Sequence, residues 1–186
     1  MPFSFKVLFP GGPVVVVARS FGDKRGRFLE LYRRSDFVAG GILDEFVQDN
    51  WSTSTAGVLR GLHYQKSPRA QGKLVRCARG RIYDVAVDIR KGSPTYGRWW
   101  SEELTADNNT MFYVPAGFAH GFYVLSDGAD VLYKCTDEYS PENDRGIIWN
   151  DPDISISWPT ASPLLSEKDA AHPQLRAADS NYEYCS

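Results

Sequence analysis

His63 lies in RGLHYQ (residues 60–65), an imidazole set among apolar and aromatic neighbours in a chain with only three histidines. Free imidazole titrates near pH ~6.5, so it suits a metal ligand or a proton-transfer group near neutral pH. The competing reading is a buried, hydrogen-bonded core histidine, and for an isolated histidine that is the commoner fate. His120 closes a P-x-G-x-x-H segment in FYVPAGFAHGF (112–122), where Pro115 and Gly117 supply a rigid tight turn that delivers the ring. His172 falls in a loop.

The elements that must position these rings are short alternating segments punctuated by Gly, Pro, Asn and Asp, a pattern that predicts an all-β domain. In KLVRCARGRIYDVAVDIRKGSPTYGRW (73–99), Lys73, Val75 and Cys77 share one face, and Gly80 centres a turn. Tyr83, Val85, Val87 and Ile89 continue an apolar face, and the opposite side, with Asp84, Asp88 and Arg90, is expected to be wet. Further strands are expected at 14–18, 28–32, 46–50, 111–114, 120–125 and 131–136. Turns at 92–94, 115–117 and 126–128 give them the spacing of a sandwich or barrel. Helical signals are short: one before Gly40 and Gly41, the other opening at Ser166. The polar stretch 174–186 is expected to be a loosely held tail.

Composition sets limits on the function. Hydrophobic residues at 42% and aromatics at 13% suffice for a packed core. The length fits a single domain spanning 1–186. A net charge of −2 offers no global attraction for nucleic acid or an anionic membrane. The first residues lack the pattern of a secretory signal, and no run approaches the ~20 apolar residues of a membrane span. Cys77, Cys135 and Cys185 have no CxxC spacing and read as reduced thiols of a cytoplasmic protein.

The P-x-G-x-x-H segment and the strand after it resemble the second motif of the cupin superfamily. The resemblance implies a cupin double-stranded β-helix, a jelly-roll barrel with a few short helices. Metal-binding cupins carry H-x-H and a downstream Glu in the first motif. Here positions 61 and 65 are Gly61 and Gln65, so His63 stands alone there and no metal is expected.

The blocks GVLRGLHYQ, QGKLVRCARGRIYDVAVDIRKGSPTYGRW, FYVPAGFAHGF, YKCTDEYSPE and WNDPDISISWP together resemble the dTDP-4-dehydrorhamnose 3,5-epimerase family, over about residues 21–169. What the resemblance implies is a cofactor-free epimerase that inverts the centres beside the C4 ketone of dTDP-4-dehydro-6-deoxy-D-glucose. Such chemistry needs a base, a stabilised enolate oxygen and an acid on the opposite face. By the same resemblance His63 is the base, Asp169 in LLSEKD orients its ring, and Tyr133 is the opposing acid. Lys73 lies near the C4 oxygen, and Arg60 and His120 line the pocket. FGDKRGRFLELY resembles the family's DxRGxFxE and carries over Arg25 and Glu30 as nucleotide contacts, since a guanidinium grips diphosphate oxygens in pairs. Gln48, Asp49 and Asn50 match a QDN block that meets nucleotide and sugar, and Asp144 and Lys168 stand where the family has further polar contacts. The implied partners are the dTDP-4-keto-6-deoxy sugar and a second copy of the chain, a homodimer in which the Arg25 segment reaches the neighbouring site.

Each residue has a structural competitor. Tyr133 on an apolar face is ordinarily core, Asp169 three residues after Ser166 fits a helix cap, and Lys73 and Arg60 fit solvated strand positions. Strict alternation also places Arg60 and His63 on opposite faces, so a shared pocket requires a bulge at Gly61. Two further functions stay open beside the double epimerase: a single-site epimerase or ketoisomerase on the same barrel, and a non-catalytic or metal-binding cupin.

Overall fold

The computed structural model describes residues 2–184, so Cys185 lies outside the described residues. Thirteen strands and two short helices follow in chain order: β1 (Phe3–Val7), β2 (Val14–Ala18), β3 (Ser20–Asp23), β4 (Gly26–Leu29), α1 (Arg34–Ala39), β5 (Gln48–Thr55), β6 (Leu59–Gln65), β7 (Lys73–Arg79), β8 (Arg81–Asp88), β9 (Trp99–Thr105), β10 (Thr110–Val114), β11 (Phe118–Val124), β12 (Gly128–Cys135), β13 (Asp144–Gly146) and α2 (Glu167–Ala170). One sheet runs β1-β2-β10-β7-β12-β5, the other β13-β6-β11-β8-β9, and β3 and β4 form a separate hairpin.

The two sheets face each other across a core of Val15, Val75, Ile82, Ala86, Leu104, Phe112, Phe122 and Val131, the jelly-roll arrangement expected. Their outer faces are covered too. Val14 and Val16 of β2 turn away from Val15 and pack with Phe3, Phe37 of α1 and Ile42. A strand buried on both faces reads as a continuous apolar run, which explains Val14, Val15 and Val16, while Val17 is exposed.

The same covering overturns one expectation. Tyr83, Val85, Val87 and Ile89 do form an apolar face, but it is packed under Ile147, Ile154, Leu175 and Tyr182. The side expected to be wet is the barrel interior, where Asp84 and Asp88 are both 0% exposed. Alternation reveals which residues share a face, and the chain that covers it decides which face is wet. Asp88 is satisfied there by the Arg90 guanidinium at 2.9 and 2.7 Å and by the Ser93 and Thr95 hydroxyls at 2.6 and 2.7 Å.

Residues 174–184 are likewise not a loose tail. One 3-10 turn, Leu175–Ala177, buries Leu175. The Tyr182 hydroxyl donates to the Gln65 carbonyl, and Asn181 exchanges hydrogen bonds with the Ser67 backbone at 3.0 and 2.8 Å. The expected strand at 28–32 stops at Leu29, and Tyr32 packs edge-on against Phe37 and Phe46 with ring centroids 4.9 and 5.3 Å apart. The expected strand at 46–50 starts at Gln48 and continues to Thr55.

Gly61 carries the expected bulge. His63 pairs with His120, yet Arg60 pairs with Phe122, so β6 holds one more residue than β11 over that interval. Gly61 has φ +129°, and a Cβ there would lie 2.6 Å from Gly121 Cα. The strand backbones therefore meet at two glycines, and the phase shift turns Arg60 toward the same cavity as His63.

Candidate active site

A cavity of about 430 Å³ opens between the sheets, lined by Arg60 and His63 of β6, Lys73 of β7, His120 of β11, Tyr133 of β12, and Lys168 and Asp169 of α2. Asp169 is placed by a capped helix. Ser166 is the N-cap, and its hydroxyl accepts from the Asp169 N–H at 3.1 Å. The cap uses the Asp169 backbone N–H and leaves its carboxylate available to other partners.

That carboxylate is almost completely buried against His63, with Oδ1 2.6 Å from Nε2, while Oδ2 accepts from the Gly61 N–H at 3.4 Å. Burial pushes the Asp169 carboxyl up, but the His63 hydrogen bond and charge and the Gly61 N–H outweigh it and hold it below the usual range. An ionised Asp169 accepts the Nε2–H of a neutral His63, which leaves the ring's lone pair on Nδ1.

Tyr133 stands between Val131 and Cys135 on one face of β12, and its hydroxyl makes no hydrogen bond among the described residues. Burial raises its pKa, keeping the phenol protonated and able to donate. Burial lowers the pKa of Lys73, whose amino group lines the cavity together with the Arg60 and Lys168 side chains. His120 Nε2 meets Asp84 Oδ1 at 2.8 Å. Arg60 is held by Ser54 Oγ at 2.9 Å, and Lys168 by Asp144 Oδ2 at 2.5 Å. That contact raises the Lys168 pKa.

The remaining expected residues stand elsewhere on this chain. Gln48, Asp49 and Asn50 lie on β5, and Asp49 and Asn50 line a second pocket of about 250 Å³ that shares Tyr133 as a wall with the first. Arg25 sits at the tip of the β3–β4 hairpin with its side chain 85% exposed, paired with Asp23, while Glu30 pairs with Arg33. Neither reaches the cavity of its own chain.

Two residues escaped the sequence. Asp84 looked like a solvated strand residue, although an acid at every fourth position of an otherwise apolar strand was a usable signal. His172 looked like a loop residue, and its approach to Asp169 comes from tertiary folding with no local pattern. Cys77 and Cys135 are buried free thiols. No described helix is long and apolar enough to cross a membrane.

Residues 11–177 match the profile of a family described as dTDP-4-dehydrorhamnose 3,5-epimerase. The chain is 57% identical to the Shigella flexneri dTDP-4-dehydrorhamnose 3,5-epimerase, over 86% of this chain and 88% of that one. Among solved structures it resembles the dTDP-6-deoxy-D-glucose-3,5-epimerase of Legionella pneumophila in complex with dTDP-4-keto-L-rhamnose, with a TM-score of 0.89 and 46% identity over 94% of each chain. It also resembles a 3'-monoepimerase from Streptomyces bikiniensis in complex with dTDP-quinovose, with a TM-score of 0.83 and 37% identity over 89% of this chain and 84% of that one.

Proposed function

Because the chain belongs to the dTDP-4-dehydrorhamnose 3,5-epimerase family, we propose that it inverts C3 and C5 of dTDP-4-dehydro-6-deoxy-D-glucose, giving dTDP-4-dehydro-L-rhamnose. The observation that carries this is the hydrogen-bonded His63–Asp169 pair sharing one cavity with the Tyr133 phenol and the Lys73 ammonium. C3 and C5 both flank the C4 ketone, so their hydrogens are acidified by the same carbonyl. His63 Nδ1 takes the proton from one face, Lys73 offsets the charge on the C4 oxygen, and Tyr133 returns a proton to the opposite face. Asp169 stabilises the imidazolium formed in the first step. The reaction is redox-neutral, and these groups supply each part of it.

Arg60, His120 and the Lys168–Asp144 pair hold the sugar. Gln48, Asp49 and Asn50 meet the nucleotide side, beyond the wall formed by Tyr133. Arg25 and Glu30 serve the site of a second copy in a homodimer. Support for the dimer comes from the exposed hairpin, where Phe21 and Phe28 are cross-strand partners left uncovered, and from exposed Leu43, Val47 and Trp51. Sedimentation should give twice the chain mass, and Arg25→Ala should raise KM with little change in kcat. Buried free thiols fit the cytoplasm.

The decisive experiment incubates dTDP-4-dehydro-6-deoxy-D-glucose with the protein in deuterated water. Label at both C3 and C5 is expected. The likeness to a 3'-monoepimerase favours a second reading, a single-site enzyme, and label at one carbon would select it. No label at either carbon rejects both.

A further inference from the structure

Behind the proposed base stands a third donor that the reaction does not use. His172 Nε2 lies 3.6 Å from Asp169 Oδ1, the oxygen that His63 Nε2 meets at 2.6 Å. The His172 side chain is 10% exposed, and Nε2 has no hydrogen-bond partner among the described residues. The ring does not line the cavity; it packs edge-on to His63 with centroids 5.6 Å apart. A buried imidazole nitrogen without a partner is unsatisfied in either tautomer, and coordination to a cation would satisfy it.

The geometry points to a site for one divalent transition-metal ion of the zinc(II) or cobalt(II) type, held by His63 Nε2, Asp169 Oδ1 and His172 Nε2, whose occupation switches the enzyme off. One ligating atom from each of the three residues lies within 4.8 Å of the others. Tetrahedral bonds of ~2.0–2.1 Å place neighbouring ligand atoms about 3.4 Å apart. The His172–Asp169 separation of 3.6 Å is close to that value as it stands. The His63–Asp169 contact of 2.6 Å must open by about 0.8 Å, and the proton on His63 Nε2 passes through solvent to Nδ1. The cavity beside His63 and Asp169 is the entry path and supplies water for the fourth position.

Inhibition follows from the tautomer. A neutral imidazole that coordinates through Nε2 carries its proton on Nδ1, so the nitrogen that would accept the substrate proton has no lone pair. This second half rests on the assignment of His63 as base, and the binding half does not.

The test starts from metal-free protein titrated with zinc(II) against a chromophoric chelator, and with cobalt(II) while visible absorption is recorded. One ion per chain is expected, with the intense visible bands of four-coordinate cobalt. His172→Ala, and His172→Gln as the variant that keeps the volume, should weaken zinc binding by about tenfold or more, since even losing an outer partner of a metal ligand costs about 10–100-fold. Deuterium exchange should fall as zinc fills the parent site and return with chelator, and the ratio of rates with and without zinc should approach one in the variants. Zinc bound equally well by parent and variants, or not bound at all, overturns the site. A protein that exchanges deuterium but takes up no zinc loses the site and keeps the epimerase function. Zinc uptake that depends on His172, in a protein inactive without metal, keeps the site and removes the function.

Discussion

Two histidine–aspartate pairs face each other on adjacent strands, and their carboxylates are held in opposite ways. His63 on β6 and His120 on β11 are direct partners in register, and each presents Nε2 to an Asp Oδ1, at 2.6 and 2.8 Å. Asp169 arrives from a capped helix and has a second donor, the Gly61 N–H, on its other oxygen. Asp84 belongs to the barrel strand β8, is 0% exposed, and its Oδ2 has no partner among the described residues. Burial opposes the charge at both. At Asp169 the donors win and the pKa falls; at Asp84 burial wins over His120 and the pKa rises. One geometry of contact therefore yields a charged acceptor that locks a tautomer, and a carboxyl whose charge the fold resists. On the proposed mechanism, the number of donors around the acid, more than the distance to the histidine, distinguishes the pair assigned to proton transfer from the pair assigned to holding the sugar.

The largest test compares the two rings. His63→Asn should reduce deuterium exchange about 1,000-fold and His120→Asn about tenfold, measured by single-turnover exchange under identical conditions. Equal losses would break the distinction.

The next compares the two acids. Asp169→Asn should reduce exchange about 100-fold with the fold intact, because the amide no longer fixes the proton on Nε2. Urea unfolding across pH sharpens the contrast. The folded Asp169 pKa lies below the unfolded value near ~3.9, so its stabilisation is present above that pH and is lost as pH falls toward the folded value. The folded Asp84 pKa lies above ~3.9, so its ionisation works against the fold as pH rises from there. Relative to the parent, Asp169→Asn should therefore grow less stable with rising pH, and Asp84→Asn more stable. Slopes of the same sign would refute the assignment of donors.

The smallest effect concerns how Asp169 is delivered. Ser166→Ala removes the helix cap and should cost about 1 kcal/mol in urea unfolding. Exchange should fall only a few-fold, far less than in Asp169→Asn, because the carboxylate itself remains.

What local signals announced was placement: P-x-G-x-x-H announced the turn before His120, and Ser166 announced the helix bearing Asp169. The roles assigned to His63, Tyr133, Lys73 and Asp169 came from the family blocks, and the bulge at Gly61 from the conflict between strand alternation and the shared pocket those blocks imply. The misreadings share one physical cause. Which face of β8 is wet depends on residues 147–182, far along the chain, and a period of two has no knowledge of them. His172 was missed for the same reason, since it gains its neighbours through distant packing, whereas the spacing of Asp84 and Asp88 was a local signal read with the wrong face outward. The polar composition of 174–184 concealed an anchored segment, because a few well-placed apolar side chains, Leu175 and Tyr182 among them, are enough to dock it.

The meeting of Gly61 and Gly121 has a consequence for how this chain can change. A glycine codon altered at one base encodes another glycine, a stop, or a residue that brings a β-carbon. At Gly61 that atom would sit 2.6 Å from Gly121 Cα, and at Gly121 it would sit 2.8 Å from the Arg60 carbonyl oxygen. No single missense step at either codon preserves the approach. Inherited variation in the spacing between His63 and His120 must enter through other positions, and drift in substrate preference is channelled toward the walls of the cavity rather than its spine.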